Sequence, residues 1–371
     1  MALSVSTSAL RRAAGALGGL LRSRQIGQLV GIEFTARGAW LSAVGASASA
    51  RVLVAGTNSK PGGTSFVRGD RLADLVRALP GDDVALSATR QGLRVVGDRI
   101  EATLTAQEPP AATFLAADAP PVGDGRVPLR ELAGAVGRVA FAARELDSAP
   151  ILAGIHVVVH KGTLRLEATD RHVMSATRVA VDVTTPECDL VVTAKALGLL
   201  GDVFLTDETI ALRPLSESLE FHSANGALRL ARLEGAFPPL RDVLRRVPQD
   251  RCVDLALDVA REHVRTVATI FDPRAAEMRP VLAMRIGDGC VGLHTLNREC
   301  GGVDSALSAT VRGAPLEIHV DANYLRAILA AVPGSQVRLR LSDACGPIYF
   351  EGQGEEAPGG WRGVLAATRA A

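Results

Sequence analysis

The stretch ALPGDDVAL at 78–86 returns as AVPGSQVRL at 331–339, 253 residues later. In both places leucines and valines at helical spacing lead into a Pro-Gly pair, and an alternating apolar and polar run follows. A chain that repeats a helix, a tight corner and a strand over such a distance is assembled from copies of one unit, which sharply limits its possible folds. KALGLLGDVFLTDETIAL at 195–212 is a weaker third copy, so that Leu86, Leu212 and Leu339 lie 126 and 127 residues apart. That period is the size of a domain, not of a solenoid repeat.

Each third also has a front half of the same kind. Residues 7–21, 129–140 and 258–271 carry apolar side chains near the i, i+3, i+4 spacing and predict helices. Asp258 and Asp321 read as N-caps of the fifth and sixth helices, and Thr193 as that of the fourth. Between the helices, GTLRLEATD (162–170), ALRLARLEG (227–235) and VRLRLS (337–342) alternate as half-buried antiparallel strands do. Proline-rich QEPPAATFLAADAPPVGDG (107–125) and EGAFPPLRDVLRRVPQD (234–250) mark the joints. The expectation is an α+β chain of three domains, 1–120, 121–245 and 246–371, each with two strand-rich halves and one helix per half.

Composition bounds the function. Of 371 residues 47% are apolar, enough for sizeable cores, and only 4% are aromatic, so Val, Leu and Ala must fill them. Five cysteines with no CxxC pair argue against a disulfide framework or zinc knuckle and fit a reducing, cytoplasmic setting. Arg11-Arg12 and the uncharged run 13–21 resemble the start of a secretory leader, but the run is short, is followed by Arg22 and Arg24, and lacks a small-residue cleavage site. No apolar segment approaches the roughly 20 residues of a membrane span. The formal net charge is +1, spread as +4, −2 and −1 over the three thirds, less basic than a protein that grips DNA by many phosphate contacts.

Catalytic signatures are missing: there is no GxxxxGK[ST], HExxH, GxSxG or kinase-like set. His156 and His160 share one face of a strand-like run and read as sheet surface rather than a metal site. Asp170 and His172 suggest part of a triad, yet no serine or cysteine nucleophile has a recognisable setting, and His263 reads as a helix-face residue. No cofactor is expected.

PILAGIHVVVHKGTLRLEATDRHVMSATRV (150–179), EGAFPPLRDVL (234–244) and VDANYLRAILAAVPGSQVRLRLSD (320–343) together resemble the bacterial DNA polymerase III beta subunit, or sliding clamp, family. The resemblance extends, through weaker stretches, over essentially the whole chain. It implies a non-catalytic homodimeric ring of six similar domains, three per chain, closed around duplex DNA, with helices lining the hole and sheets on the rim. Near-identical wedges set head to tail explain the repeat.

The same resemblance assigns surfaces. Cations on or beside the helices, Arg11, Arg12, Arg24, Arg68, Arg77, Arg130, Arg138, Lys195, Arg261, Arg265 and Arg326, become candidates to face DNA, although each reads equally as a solvated helix charge. A groove for short linear peptides of polymerase and clamp-loader partners is expected from Leu152, Thr169, Arg171, His172, Val173, Met174, Pro238, Asp242, Val243, Tyr324, Cys345, Pro347 and the tail Val364, Leu365, Ala366, Ala367, Thr368 and Arg369. Several of these, Leu152 and Val243 above all, read as well as packing. Contacts between subunits are expected from Ala102 and Leu104 on an edge strand and from Ile270 and Phe271.

The sequence departs from the family pattern at the groove. Ala366-Ala367-Thr368 stand where the family carries methionines, Asp242 where a basic residue is common, and Arg171 where a small residue is usual. Two readings follow: a processivity clamp that tethers the replicative polymerase, or a specialised copy whose groove takes other peptides or escapes a groove-directed inhibitor.

Overall fold

A computed structural model describes residues 2–21, 29–57, 62–109, 125–271, 280–297, 301–354 and 360–368. The chain condenses into two compact units that interleave in sequence. The first combines Met1–Gly134, Val158–Leu164 and Ala180–Glu234; the second combines Ala135–Val157, Arg165–Val179 and Gly235–Ala371. Residues 121–245, the middle repeat, therefore contribute to both.

Strand pairing across the repeats is the physical reason. In the first unit the sheet runs Ile100–Thr105, Gly92–Gly97, Asp83–Thr89, Leu3–Ser6, Ala48–Thr57, then passes directly to Gly226–Ala231, Ser218–His222, Thr209–Pro214 and Gly125–Pro128. The junction is the antiparallel pair that sets Leu228 opposite Ala50. In the second unit Val173–Ala180 pairs with Arg362–Leu365, and the sheet continues through Ile348–Gln353, Gln336–Leu341 and Arg251–Ala256 to Thr310–Arg312. Strands Val281–Gly287, Cys290–Asn297, Gly301–Ser308 and Leu316–Asp321 form a separate four-stranded sheet. A paired edge leaves no ladder groups for aggregation, so joining sheets end to end also protects them.

The helices follow the expected periodicity. Helix α1 (Thr7–Leu21) buries Leu10, Ala13, Ala14, Ala16, Leu17 and Leu20, so the apolar run after Arg12 is its packed face, each leucine worth roughly 1.5–3 kcal/mol. It packs on α2 (Gly69–Ala78), which buries Leu72 and Val76. Helix α3 (Leu129–Ala140) buries Leu132, Ala135, Val136 and Val139. The rest are α4 (Ala194–Leu197), α5 (Leu200–Val203), α6 (Leu240–Arg245), α7 (Leu257–Val267) and α8 (Ala322–Ala331), with α7 against α8.

The two quoted corners superimpose in backbone conformation. Leu79 after α2 has φ −61 and ψ 126 and returns its N–H to Leu75 O; Val332 after α8 has φ −59 and ψ 126 and returns its N–H to Ile328 O. Pro80 and Pro333 stop the helices, and Gly81 and Gly334 turn the chain at φ +79 and +91, where a side chain would be strained. Strands Asp83–Thr89 and Gln336–Leu341 then begin.

Four expectations need correction. Asp258 is not an N-cap: α7 starts at Leu257 with Ala256 at the cap, and the Asp258 carboxylate instead accepts from Arg261 at 3.2 Å. Thr193 holds the cap position of α4 but makes no capping bond, its hydroxyl lying 3.3 Å from Ser47 Oγ. The fourth helix is two single turns, α4 and α5, because the i to i−4 ladder gives way to i−3 bonds at Leu199 and Asp202. The fifth is α-helical only to Val267, tightens to a 3-10 turn over Ala268–Ile270 and leaves Phe271 outside, while the joint 234–250 contains a helix of its own, α6. Asp321 does cap α8, accepting from the N–H groups of Asn323 and Tyr324.

Candidate functional site

The basic side chains proposed for the helix faces divide by what they touch. Arg11 reaches from α1 to the carbonyls of Val76 (3.1 Å) and Leu79 (2.7 Å), and Arg261 reaches from α7 to those of Leu329 (3.0 Å), Ala330 (3.3 Å) and Val332 (3.0 Å). Each thus satisfies free carbonyls at the negative end of the neighbouring helix. Arg68 forms a two-pronged pair with Asp70, whose carboxyl that hydrogen bond holds below its usual range, and Arg77 pairs with Asp74 at 3.1 Å. Arg138 is half-buried and burial lowers its guanidinium pKa, while its carbonyl accepts from Ser175 Oγ at 2.7 Å.

Arg12, Arg130, Lys195, Arg265 and Arg326 are exposed. Arg261, Arg265 and Arg326 come together, lining a hollow between α7 and α8 with Val264, Leu329 and Ala330. Arg24 lies outside the described residues. The site candidates therefore comprise two cations spent on helix ends, two balanced by a neighbouring carboxylate, half-buried Arg138, and five further exposed ones.

In the second unit the loop carrying His172, one of the expected groove residues, meets Tyr324 of α8. The loop after strand Thr163–Thr169 is tied tightly: Thr169 Oγ1 donates to Val173 O (2.8 Å) and accepts from Arg171 N (3.0 Å), while Asp170 Oδ1 accepts from the N–H groups of His172 (2.9 Å) and Val173 (3.0 Å). The other oxygen of Asp170 accepts the Tyr324 hydroxyl, which also accepts from Arg144 Nη1 at 3.1 Å. Burial and then the Asp170 bond push the Tyr324 phenol up to about 12. The His172 ring stacks on Tyr324 with centroids 6.0 Å apart.

The tail is stitched along this cluster. Val173 pairs with Leu365 and Met174 with Val364; Ala366 N donates to His172 O (2.9 Å) and Thr368 N to His319 O (2.8 Å). Leu152, Thr169, Val173, Val364 and Leu365 are buried, so they pack the site from beneath, whereas Arg171, His172, Cys345 and Pro347 are exposed and Met174, Pro238, Val243, Ala366, Ala367 and Thr368 are half-buried. Val243 O accepts from the Tyr349 hydroxyl at 3.1 Å, anchoring α6, and Asp242 projects from that helix exposed. Arg369 lies outside the described residues.

Two participants lie outside the expected groove set. Arg144 sits in an irregular stretch beyond α3 where no periodicity singles it out, and the sequence suggests Asp170 only as part of a triad, although its place before an exposed Arg-His pair is a usable sign of a loop anchor. His263 is half-buried, Nδ1 2.5 Å from Ser305 Oγ, and His156 meets Glu167 and lies tilted at 35° against the Phe237 ring. Among the described residues no three His, Cys, Asp or Glu side chains group as metal ligands, and no helix is long and apolar enough to cross a membrane.

The residues expected between subunits fall in separate units. Ala102 and Leu104, both half-buried, lie on Ile100–Thr105, the last strand of its sheet, opposite Val95 and Leu93. Ile270 closes the 3-10 turn after α7, and Phe271 follows it.

Comparison with known proteins gives one answer at three levels. Residues 126–239 match the family model described as the DNA polymerase III beta subunit, central domain. The beta sliding clamp of Streptococcus pneumoniae TIGR4 is 28% identical over 221 residues, 57% of this chain and 56% of that protein, so the chain spans a little over half the length of this relative. That of Staphylococcus aureus Mu50 is 23% identical over 302 residues, 80% of this chain and 78% of the relative. The fold covers 100% of both chains in comparison with the solved DNA polymerase III subunit beta of Pseudomonas aeruginosa (TM-score 0.82, 20% identity) and the DNA polymerase sliding clamp of Bacillus subtilis (TM-score 0.85, 16% identity). Family model, relatives and fold agree: over residues 126–239 in sequence and over the whole chain in fold, this protein is similar to the DNA polymerase III beta sliding clamp family.

Proposed function

We propose that the chain is a DNA sliding clamp: two copies close into a ring of six domains, bounded in each copy near 120 and 245, that encircles duplex DNA and tethers polymerase and other partners through short peptides. One observation carries the reading, the correspondence of the fold over the entire chain with solved sliding clamps. The charge arrangement agrees with it. A closed ring is retained by topology, and cations balanced by Asp70 and Asp74 or spent on helix carbonyls add little of the phosphate grip that would slow sliding and steepen its salt dependence. The role is one of holding rather than chemistry, and no catalytic step is assigned to any residue. The similarities are to sliding clamps as such and do not favour the specialised-copy reading.

The test has two parts. Light scattering is expected to give twice the 38.7 kDa chain mass. Clamp loaded onto a nicked circular duplex is expected to persist through gel filtration and to be lost when the circle is cut once; equal loss from circle and linear DNA would overturn the reading.

A further inference from the structure

We infer that the hollow between α7 and α8 is a binding site for a small amphipathic anion of the alkyl carboxylate kind, with its head on Arg265 and Arg326 and its chain over Val264 and Leu329. Such a site stands whether or not two chains close into a ring.

The hollow measures about 370 Å³, in the range of small-molecule pockets, and is lined by Arg261, Val264, Arg265, Arg326, Leu329 and Ala330. Its cations divide in two. Arg261 is already committed: Nε and Nη2 donate to the carbonyls of Leu329, Ala330 and Val332, and Nη1 donates to Asp258. That clasp covers the negative end of α8, which would otherwise repel an anion entering here. Arg265 and Arg326 are exposed and form no hydrogen bond or ion pair among the described residues. Neither helix sets a carboxylate into the hollow: α8 (ANYLRAILAA) has no acidic residue, and the two acids of α7, Asp258 and Glu262, are not among the residues that line it. Two unspent guanidinium groups thus stand at one mouth, each able to give a carboxylate paired donors.

The floor is apolar. Val264 and Leu329 are 2% and 3% exposed, and the same two side chains form part of the wall of a void of about 20 Å³ in the core behind them. Leu255, Met284, Leu293, Leu325 and Phe350 stand around that void, and every side chain that lines it is apolar, so it offers a water no partner. A close-packed core resists displacement by even a methylene, whereas a floor with empty space behind it can give way. An alkyl chain laid between the helices gains contact at Val264 and Leu329 and lets those side chains retract into the void, while the carboxylate stays at the wet mouth with the arginines. A bare phosphate would use only the rim, and an uncharged alcohol only the floor. Rim and floor together select a ligand with both characters.

Titration of the full-length protein with decanoate below its micelle-forming concentration, and with decanol, inorganic phosphate and a short DNA duplex, followed by NMR of labelled Val and Leu methyl groups, tests this. Decanoate is expected to shift the Val264 and Leu329 signals and to bind about tenfold more tightly than decanol or phosphate. The double variant Arg265→Gln, Arg326→Gln changes only exposed side chains, so the fold is kept, and it should weaken decanoate about tenfold while leaving decanol unchanged. Equal affinity for decanoate and decanol would show an apolar cleft without charge selection. Phosphate bound as tightly as decanoate, or the duplex bound with no response to decanoate, would show a patch of charge alone. Decanoate affinity that survives the double variant, or shifts confined to other methyl groups, would put the ligand elsewhere. Each of these outcomes overturns the inference.

Discussion

The helix pairs of the first and third repeats differ from that of the middle one in how their ends are finished. In the outer two, the fifth residue of the leading helix is an arginine, Arg11 of α1 and Arg261 of α7, and each clasps the carbonyls that end the companion helix. The fifth residue of α3 is Ala133, and the segment that would be its companion is broken into α4 and α5. A helix end whose carbonyls meet a cation stays regular to its last turn; one without such a partner satisfies them locally by i−3 bonds, as at Leu199 and Asp202. One repeated design thus tolerates a break in its second helix, whose two turns still bury Ala196, Leu197, Leu200 and Val203 in the core.

The strongest test of that equivalence is in the strands. Leu86, Leu212 and Leu339 are each no more than 1% exposed, so Leu→Ala at each is expected to cost about 3 kcal/mol in urea unfolding. A clearly smaller cost at Leu212 would mean that the broken helix lets the middle core collapse around the cavity.

Next comes a feature of the middle repeat alone. Glu220, nearly fully buried, is held by His222 and Arg229, and the His222 hydrogen bond foremost lowers its carboxyl from 4.5 to about 2. A depressed carboxyl stabilises the fold above its unfolded pKa, and that contribution is lost as pH falls through the folded value, here between about 4.5 and 2. Glu220→Gln is expected to cost about 2 kcal/mol at pH 7 and to flatten the stability slope across that window; an unchanged slope would remove Glu220 from the account.

Breaking the clasp should cost less. Arg261→Ala is expected to destabilise the second unit by about 1–2 kcal/mol and Arg11→Ala the first by about 1 kcal/mol, with the two adding in the double variant since they share no partner. Hydrogen exchange at the ends of α8 and α2 should rise in step, and unaltered protection there would show that the carbonyls need no cation. The smallest effect is in the opposite direction: Gly198, which ends α4 at φ −61 and ψ −16, suits alanine, so Gly198→Ala is expected to stabilise by about 0.5–1 kcal/mol. A loss instead would mean that the break in this segment is imposed by packing and not by local preference.

Local periodicity was legible because it is a property of neighbours. The apolar spacing over 7–21 and 129–140 set the helices, Asp321 announced its cap, and the Pro-Gly corners at 80–81 and 333–334 recurred with matching backbone angles. The domain-length repeat and the α+β class followed from the same signals. The cap assigned to Asp258 failed because Leu257 already takes helical conformation to bury its side chain, and the single fourth helix failed because its propensity did not outlast Gly198.

By itself, then, the sequence determined the repeated helix, corner and strand, the absence of familiar catalytic motifs, and a resemblance to the sliding clamp family carried by residues 150–179, 234–244 and 320–343. Tertiary structure alone decided which distant side chains meet: Asp170 with Tyr324 across 154 residues, Arg144 with Tyr324 across 180, and Arg261 with the carbonyls of Leu329 and Val332 across 68 and 71. It also decided that the middle repeat is shared between two units, through strand pairs at Leu228 with Ala50 and Val173 with Leu365. The reason is that hydrogen-bond pairing and charge contact depend on distance in space, whereas hydrophobic periodicity records only which face of an element is turned inward, not what lies opposite that face.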